Sequence, residues 1–147
     1  MEILEIKDLE TLAKKRVPKM FFDYVNSGSW TETTYNENVS DFQKIKLRQR
    51  VAIDMSNRTL ETKMINQPVS MPVAIAPTGL TGMQRADGEI LAAQAAEEFG
   101  IPYTLSTMSV CSIEVVAEKT KKPFWFQLYV MKDKKFMERL IDRAKEA

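Results

Sequence analysis

The chain has 147 residues, 44% hydrophobic and 28% charged, a composition that excludes a disordered, collagenous or disulfide-stapled protein. Its 21 basic and 20 acidic side chains leave a net charge of +1, so no whole-chain field favours nucleic acid as a partner. The sequence has no histidine, which excludes serine–histidine or cysteine–histidine catalysis and histidine-ligated metal within these residues. The single cysteine, Cys111, excludes an internal disulfide and indicates a reducing compartment.

The first third of the sequence predicts helices. A first helix is indicated by apolar residues at helical spacing: Ile6, Leu9, Leu12 and Ala13. Asp8 is an acid of the kind favoured near a helix start, where it faces the positive end of the helix dipole. Pro18 suits the first turn of a second helix, which Ser27-Gly28 would end, and residues 31–43 have a third helical pattern.

Residues 44–51 change to a period of two. Basic and apolar side chains alternate there, as in a half-exposed strand. A solvated cationic face is the ordinary interpretation, and a contact with phosphate or a partner is the alternative. Because no aromatic residues are interleaved with the charges, the segment does not resemble a groove for single-stranded nucleic acid.

After Pro72 the pattern alternates strands with helices. Strands are predicted over residues 73–76, 101–105 and 124–130, and helices over residues 87–99, 113–119 and 134–147. The helix over 87–99 has four candidate packing residues, and Gly100 would end it: Ile90, Leu91, Ala95 and Phe99. Ser112 and Asp133 would cap the two later helices.

Three successive βα units predict an α/β fold with a parallel sheet, either doubly wound or part of a (β/α)8 barrel. We expect one incomplete domain over residues 1–147, with a helical lead-in to about residue 70 and βα units from about residue 72. A whole barrel needs about 250 residues, so three units would leave open parallel edges, which favour pairing with another chain.

Ligands of parallel α/β folds bind beyond the carboxyl ends of the strands. That rule selects Pro77, Thr78 and Gly79 after the first strand, Ser106 and Thr107 after the second, and Gln127 and Tyr129 on the third. Their small polar groups suit a flat polar ring or a phosphate, and they include no nucleophile paired with a base. The alternative is that these residues are ordinary turn-formers.

At these positions the sequence resembles a known family, the FMN-dependent α-hydroxy-acid oxidases and dehydrogenases, which includes glycolate oxidase and bacterial L-lactate dehydrogenase. Four motifs carry the resemblance, in this order: Pro18-Lys19-Met20-Phe21-Phe22-Asp23-Tyr24, Pro72-Val73-Ala74-Ile75-Ala76-Pro77-Thr78-Gly79, Leu105-Ser106-Thr107 and Phe126-Gln127-Leu128-Tyr129-Val130. The resemblance extends over essentially all 147 residues and is to the amino-terminal part of the family. The resemblance implies a (β/α)8 barrel, the TIM barrel, that binds FMN.

The resemblance also implies roles for individual residues. Six would bind the cofactor, the first four through backbone against the flavin ring and the last two at its polar edge: Ala76, Pro77, Thr78, Gly79, Ser106 and Gln127. Tyr24 would bind the substrate carboxylate, although a tyrosine in a Phe-Phe-Asp-Tyr run is otherwise typical of a core. Tyr129 would bind substrate and act catalytically, by donating to the oxygen on the carbon being oxidised. Cys111 is interpreted as a packing residue, and no metal is expected.

The implied activity is oxidation of an (S)-2-hydroxy acid to the 2-oxo acid. Gly79 and the 106–111 stretch favour L-lactate and the dehydrogenase branch. The family's histidine base and its lysine and arginine partners lie on later strands, so we expect an amino-terminal fragment that is inactive alone. A quinone, a cytochrome and oxygen all stay open as electron acceptors, and the complete enzyme is expected to be a homo-oligomer without nucleic-acid partners.

Two other functions are consistent with parts of the pattern. The first is a non-catalytic half-barrel that binds flavin or a partner chain through its open edge. The second is a nucleotide-binding domain, which is disfavoured because no G-x-G-x-x-G follows a strand. The acidic start and the lack of an 18-residue apolar run predict neither signal peptide nor membrane span. The expected location is the cytoplasm, with peripheral attachment to the inner face of the membrane as an alternative.

Overall fold

The computed structural model describes residues 2–147. Its backbone divides into two compact units, Met1–Arg58 and Thr59–Ala147. The expectation of one incomplete domain, with a boundary near residue 70 inside it, stays a prediction. Among residues 2–147, no helix combines the length and the apolar character needed to cross a bilayer.

The first unit is helical, as the sequence predicts. Its three helices are α1 (Ile6–Arg16), α2 (Lys19–Val25) and α3 (Thr33–Lys44). Asp8 forms a capping box with Glu5, and its carboxylate accepts the N–H of Leu4 at 2.9 Å and of Glu5 at 3.1 Å. These backbone bonds lower the pKa of Asp8. Pro18 precedes the first turn of α2, which confirms the predicted start of that helix.

The strand predicted over residues 44–51 is wrong. Helix α3 extends through Lys44, and residues 45–50 have no regular structure. The apolar side chains that suggested a buried face are mostly exposed, with Leu47 at 90% and Val51 at 91%. Alternation creates a strand only where a neighbouring strand completes the hydrogen-bond ladder, and none of the described strands pairs with this segment. The solvated cationic segment is the interpretation that agrees with this exposure.

The second unit contains a hairpin followed by βα units. Its strands are β1 (Thr62–Met64), β2 (Gln67–Val69), β3 (Thr104–Ser106) and β4 (Trp125–Gln127). Its helices are α4 (Thr81–Gln84), α5 (Gly88–Phe99), α6 (Ile113–Glu118) and α7 (Lys134–Glu146). The antiparallel β1–β2 hairpin and the short α4 were not predicted. Ile65 and Asn66 have φ of 46° and 63°, and this left-handed pair makes the hairpin turn.

The parallel sheet is confirmed, but its strands are shorter than predicted. β3 pairs with β4 in parallel, with Ser106 opposite Gln127. The strand predicted over residues 73–76 contributes a single parallel bridge between Ile75 and Tyr103, and Val73 is 50% exposed. The strand predicted over 101–105 keeps two residues in β3, which extends one residue further to Ser106, and the strand predicted over 124–130 keeps three in β4. The hydrogen-bond ladders of this sheet end early because the outer edges of the sheet have no partner strand among residues 2–147.

The core lies between this sheet and helices α5 and α6. Tyr103 and Leu105 from the sheet pack against five buried residues of the two helices, namely Ile90, Ala93, Ala96, Ile113 and Val116. The packing face predicted for α5 is therefore wrong except at Ile90, since Leu91 is 45% exposed, Phe99 is 59% exposed and Ala95 is exposed. Besides Ile90, the small side chains of Ala93 and Ala96 pack into the core, and they let the helix approach the sheet closely.

The predicted helix ends are confirmed. The Ser112 hydroxyl accepts the N–H of Val115 at 3.3 Å, and the Asp133 carboxylate accepts the N–H of Phe136 at 3.1 Å. Gly100 ends α5 with φ of +77°, a conformation that costs other residues energy.

Candidate functional site

The predicted site residues of the second unit lie where its parallel strands end. Ile75, β3 and β4 run in the same direction, so the segments after them emerge at one edge of the sheet. The first two of these loops are joined directly, since the N–H of Leu80 donates to the carbonyl of Met108 at 2.9 Å. The structure therefore brings the first two candidate loops together.

Ser106 and Gln127 form the polar centre of this edge. They are register partners on adjacent strands, and the Ser106 hydroxyl donates to Gln127 Oε1 at 3.3 Å. The backbone N–H of Thr107 also donates to Gln127 Oε1, at 3.3 Å, and the N–H of Met108 donates to Ser106 Oγ at 3.1 Å. Ser106 is 3% exposed. Within residues 2–147 these bonds fix the amide oxygen of Gln127 and leave its Nε2 donor without a protein acceptor.

Gly79 lies against the second loop with no side chain between the two. A Cβ added at Gly79 would lie 3.3 Å from the Met108 Cβ and 3.9 Å from Ser106 Oγ. The backbone of Gly79 is thus held beside the Ser106 hydroxyl. The preceding residues Ala76, Pro77 and Thr78 are exposed, so their backbone is open to a ligand.

The two tyrosines assigned to substrate occupy different units. Tyr129 follows β4 by two residues, is 53% exposed, and donates its backbone N–H to Thr107 Oγ1 at 3.1 Å. The strand that was expected to carry Gln127 and Tyr129 together ends at Gln127. Tyr24 lies on α2 in the first unit and is 69% exposed, so it is not part of a core among residues 2–147.

Sequence reasoning missed Glu89, a fully buried carboxylate beside these loops. Its Oε1 accepts the N–H of Gly82 at 3.0 Å and the N–H of Val110 at 2.9 Å, so one carboxylate links α4 and the second loop to α5. Burial raises the pKa of Glu89, but the hydrogen bonds from Val110 and Gly82 outweigh it and the pKa lies below its ordinary value. The sequence feature that could have identified Glu89 is its place in the first turn of α5, where a carboxylate is favoured by the helix dipole.

Cys111 packs half-buried against the core, in agreement with the packing interpretation. Burial and the nearby Glu89 carboxylate raise the pKa of its thiol, so this is not the environment of a reactive thiolate. Burial, with a smaller contribution from Glu89, also raises the pKa of Tyr103 to about 12.

A cavity of about 270 Å³ lies near the opposite, amino-terminal ends of the strands, where Val69, Pro102 and Phe124 line it. It contains none of the predicted site residues. This cavity is therefore separate from the polar edge at the carboxyl ends of the strands.

This surface fits a flat, polar ring such as that of FMN. Gln127 Nε2 is a donor for a ring carbonyl or nitrogen, and Ser106 fixes the orientation of the amide. Gly79 presents backbone without a side chain beside them. Compact neutral donors and accessible backbone are the groups that bind the edge of such a ring.

Comparison with known proteins identifies the family. The model of the family "FMN-dependent dehydrogenase" matches residues 13–147. The L-lactate dehydrogenase of Acinetobacter baylyi is 50% identical over 147 residues, which are 100% of this chain and 38% of that relative. A soluble mutant of the membrane-associated (S)-mandelate dehydrogenase of Pseudomonas putida matches with a TM-score of 0.92 and 34% identity, over 99% of this chain and 41% of that one. A mandelate oxidase matches with a TM-score of 0.87 and 31% identity, over 95% of this chain and 40% of that one.

These structures are (β/α)8 barrels, so the predicted fold class is confirmed, and the helices and βα units described above form part of such a barrel. The chain spans about 38% of the length of the curated relative it matches over all its residues. With its family model matched from residue 13 to residue 147, the chain belongs to the FMN-dependent dehydrogenase family.

Proposed function

We propose that this chain forms the flavin-ring and substrate-facing part of an enzyme that oxidises an (S)-2-hydroxy acid, preferentially L-lactate, to the 2-oxo acid. The observation that carries the proposal is the polar edge at which Ser106, Gln127 and Gly79 meet beyond parallel strands. Similarity to an L-lactate dehydrogenase at 50% identity supports the substrate class.

FMN, when bound, accepts the two electrons that leave the substrate α-carbon. In this proposal Gln127 Nε2 donates to the polar edge of the ring, Ser106 holds the amide, and the backbone of residues 76–79 lies against the ring. Each of these groups is neutral and fixed before the reaction, and preorganised donors stabilise developing charge at no cost in reorganisation.

Substrate binding is assigned to the two tyrosines. Tyr24 binds the carboxylate, and the Tyr129 hydroxyl donates to the substrate oxygen as it becomes a carbonyl. The hydroxyl proton needs a base. Glu89 is excluded from that role because it is fully buried and holds two backbone N–H groups. The sequence has no histidine, so we propose that the imidazole base comes from outside these 147 residues and that the isolated chain does not turn over.

A chimera tests the proposal directly. The matching segment of the Acinetobacter baylyi L-lactate dehydrogenase is replaced with this chain, and FMN-dependent oxidation of L-lactate is followed with an artificial electron acceptor. We expect turnover in the chimera and none from the isolated chain mixed with FMN. A folded, flavin-loaded chimera that oxidises no (S)-2-hydroxy acid would contradict the proposal.

Variants of the chimera assign the residues. Tyr129→Phe removes a donor to the reacting oxygen and should lower kcat by about 10²-fold. Tyr24→Phe should raise KM for L-lactate more than it lowers kcat, because it removes a contact to the carboxylate. Tyr35→Phe is the control, since Tyr35 lies on α3 and has no assigned role. Equal changes in kcat and KM from all three substitutions would contradict the roles assigned to Tyr24 and Tyr129.

A non-catalytic half-barrel is the second candidate function. The observation that favours it is the open sheet, because the outer edges of Ile75 and β4 have no strand partner among residues 2–147. Such edges pair readily with another chain. Turnover by the chimera would exclude this candidate, whereas a folded chimera that binds flavin but oxidises no (S)-2-hydroxy acid would support it.

The electron acceptor and location complete the proposal. We propose the dehydrogenase branch on the basis of Gly79, with a quinone or cytochrome as acceptor in place of oxygen, and a homo-oligomeric, cytoplasmic enzyme that attaches peripherally to the membrane. The rate at which oxygen and a quinone reoxidise the reduced chimera distinguishes a dehydrogenase from an oxidase. Much faster reoxidation by oxygen than by a quinone would contradict the dehydrogenase assignment.

A further inference from the structure

Thr107 lies at the centre of a hydrogen-bond staple between the ends of β3 and β4. Its hydroxyl donates to the carbonyl of Gln127 and accepts the backbone N–H of Tyr129, with 3.1 Å from Tyr129 N to Thr107 Oγ1. Its own N–H donates to the Gln127 carbonyl at 3.1 Å and to Gln127 Oε1 at 3.3 Å. One residue therefore contacts the backbone of both Gln127 and Tyr129.

Tyr129 needs such a contact because the sheet does not hold it. β4 ends at Gln127, and the residues that follow have no regular structure. The Tyr129 ring is half-exposed, so packing restrains it little. Within residues 2–147, the bond to the Thr107 hydroxyl is the one that fixes its backbone N–H.

We propose that Thr107 is a positioning residue, whose hydroxyl sets the direction in which Tyr129 leaves the sheet and keeps it in register with Gln127. The catalytic consequence rests on the proposed function, because it assumes that Tyr129 faces substrate and Gln127 faces the flavin. The contact itself does not depend on that assumption. Thr107 touches neither reacting group and acts through the two residues that it holds.

A hydroxyl is needed in this position because it donates and accepts at once. Valine has nearly the shape of threonine, so Thr107→Val removes both hydroxyl bonds and nearly keeps the volume, while the two bonds from the Thr107 backbone N–H remain. Thr107→Ser keeps the hydroxyl and loses one methyl group. Thr104→Val is the matched control, since Thr104 lies on β3, three residues before Thr107, and its hydroxyl makes no hydrogen bond within residues 2–147.

Amide hydrogen exchange of the 147-residue chain, resolved by NMR, measures the staple without any flavin. We expect the Tyr129 amide to exchange at least about tenfold faster in Thr107→Val than in the parent chain, because its acceptor is lost. Thr107→Ser and Thr104→Val should stay within about threefold of the parent. An unchanged Tyr129 amide in Thr107→Val would overturn the proposal. If Thr107→Val does not fold, Thr107→Ala replaces it against Thr107→Ser, and the same comparison decides.

The second readout is turnover of the chimera with the Acinetobacter baylyi relative. Thr107→Val should lower kcat for L-lactate by about tenfold, and Thr107→Ser should restore it to within about threefold. Faster exchange at Tyr129 with kcat unchanged would overturn the positioning role. If the parent chimera shows no turnover, the proposed function fails, and the exchange comparison alone decides whether Thr107 positions Tyr129.

Discussion

Replacement of Glu89 should destabilise the second unit more than any other single truncation of a polar side chain at the sheet edge. The carboxylate accepts the N–H groups of Gly82 and Val110 and is fully buried, so Glu89→Ala removes two hydrogen bonds in one step. The first bond holds α4, which follows the loop of Gly79, and the second holds the loop that contains Met108. Loss of the carboxylate should therefore loosen the flavin side of the site as well as lower stability.

The magnitude follows from the geometry. Hydrogen bonds to a charged group contribute about 1.5–3 kcal/mol each, so two of them give about 3–6 kcal/mol. Part of this is offset, because Glu89 Oε2 is buried without a partner among residues 2–147 and its desolvation cost disappears with the side chain. We expect Glu89→Ala to lower the free energy of unfolding by about 3 kcal/mol. Glu89→Gln keeps a neutral acceptor and should cost about 1 kcal/mol.

Urea unfolding followed by circular dichroism measures this free energy. Glu98→Ala is the matched control, because Glu98 is an exposed acid on the same helix and should change stability by less than about 0.5 kcal/mol. If Glu89→Ala were as stable as Glu98→Ala, the two backbone bonds would not carry the loops and the reasoning would be refuted.

Three smaller effects can be measured in the same way. Gly100→Ala should cost about 1 kcal/mol, because its φ is +77° and a side chain is strained there; a neutral effect would contradict this cap geometry. Ser112→Ala should lower the free energy of unfolding by about 1 kcal/mol, because it removes the cap of α6. Ser112→Thr should retain most of the stability that the cap contributes. Arg143 holds the pKa of Glu114 at about 2, from an ordinary 4.5. Because the folded pKa is the lower one, the ion pair contributes stability above about pH 4.5 that is lost as the pH falls towards 2; Arg143→Gln should reduce this acid dependence of the urea midpoint, and an unchanged midpoint profile would contradict it.

Local features of the fold were predictable because their causes lie within a few residues. Ser112 and Asp133 cap their helices through contacts three residues away, and Gly100 ends α5 through its own backbone freedom. The extents of the strands were not predictable in this way. The 44–51 alternation is as regular as any in the chain, yet a strand depends on a partner that local pattern does not specify. The rotation of α5 likewise depends on how closely Ala93 and Ala96 let it approach the sheet.

In the candidate site, too, features with local causes were predictable and features that depend on distant partners were not. The rule that ligands bind beyond the carboxyl ends of parallel strands selected Ser106, Gln127 and Gly79, and the structure places them at one edge. Thr107 was selected by position alone, without its link to Tyr129. Glu89 was not selected, because its two partners are backbone N–H groups that are distant in sequence and carry no side-chain signature.

The central claim is that this chain itself provides contacts for a flavin ring. Titration of the purified 147-residue chain with FMN, and separately with riboflavin, by flavin fluorescence and visible absorption tests it most directly. We expect saturable binding of both flavins with affinities within about tenfold of each other, because the assigned contacts are to the ring and not to the phosphate. Gln127→Leu should weaken binding of both, whereas Thr104→Val should not. A folded chain that binds neither flavin, or that binds them equally well after Gln127→Leu, would contradict the claim.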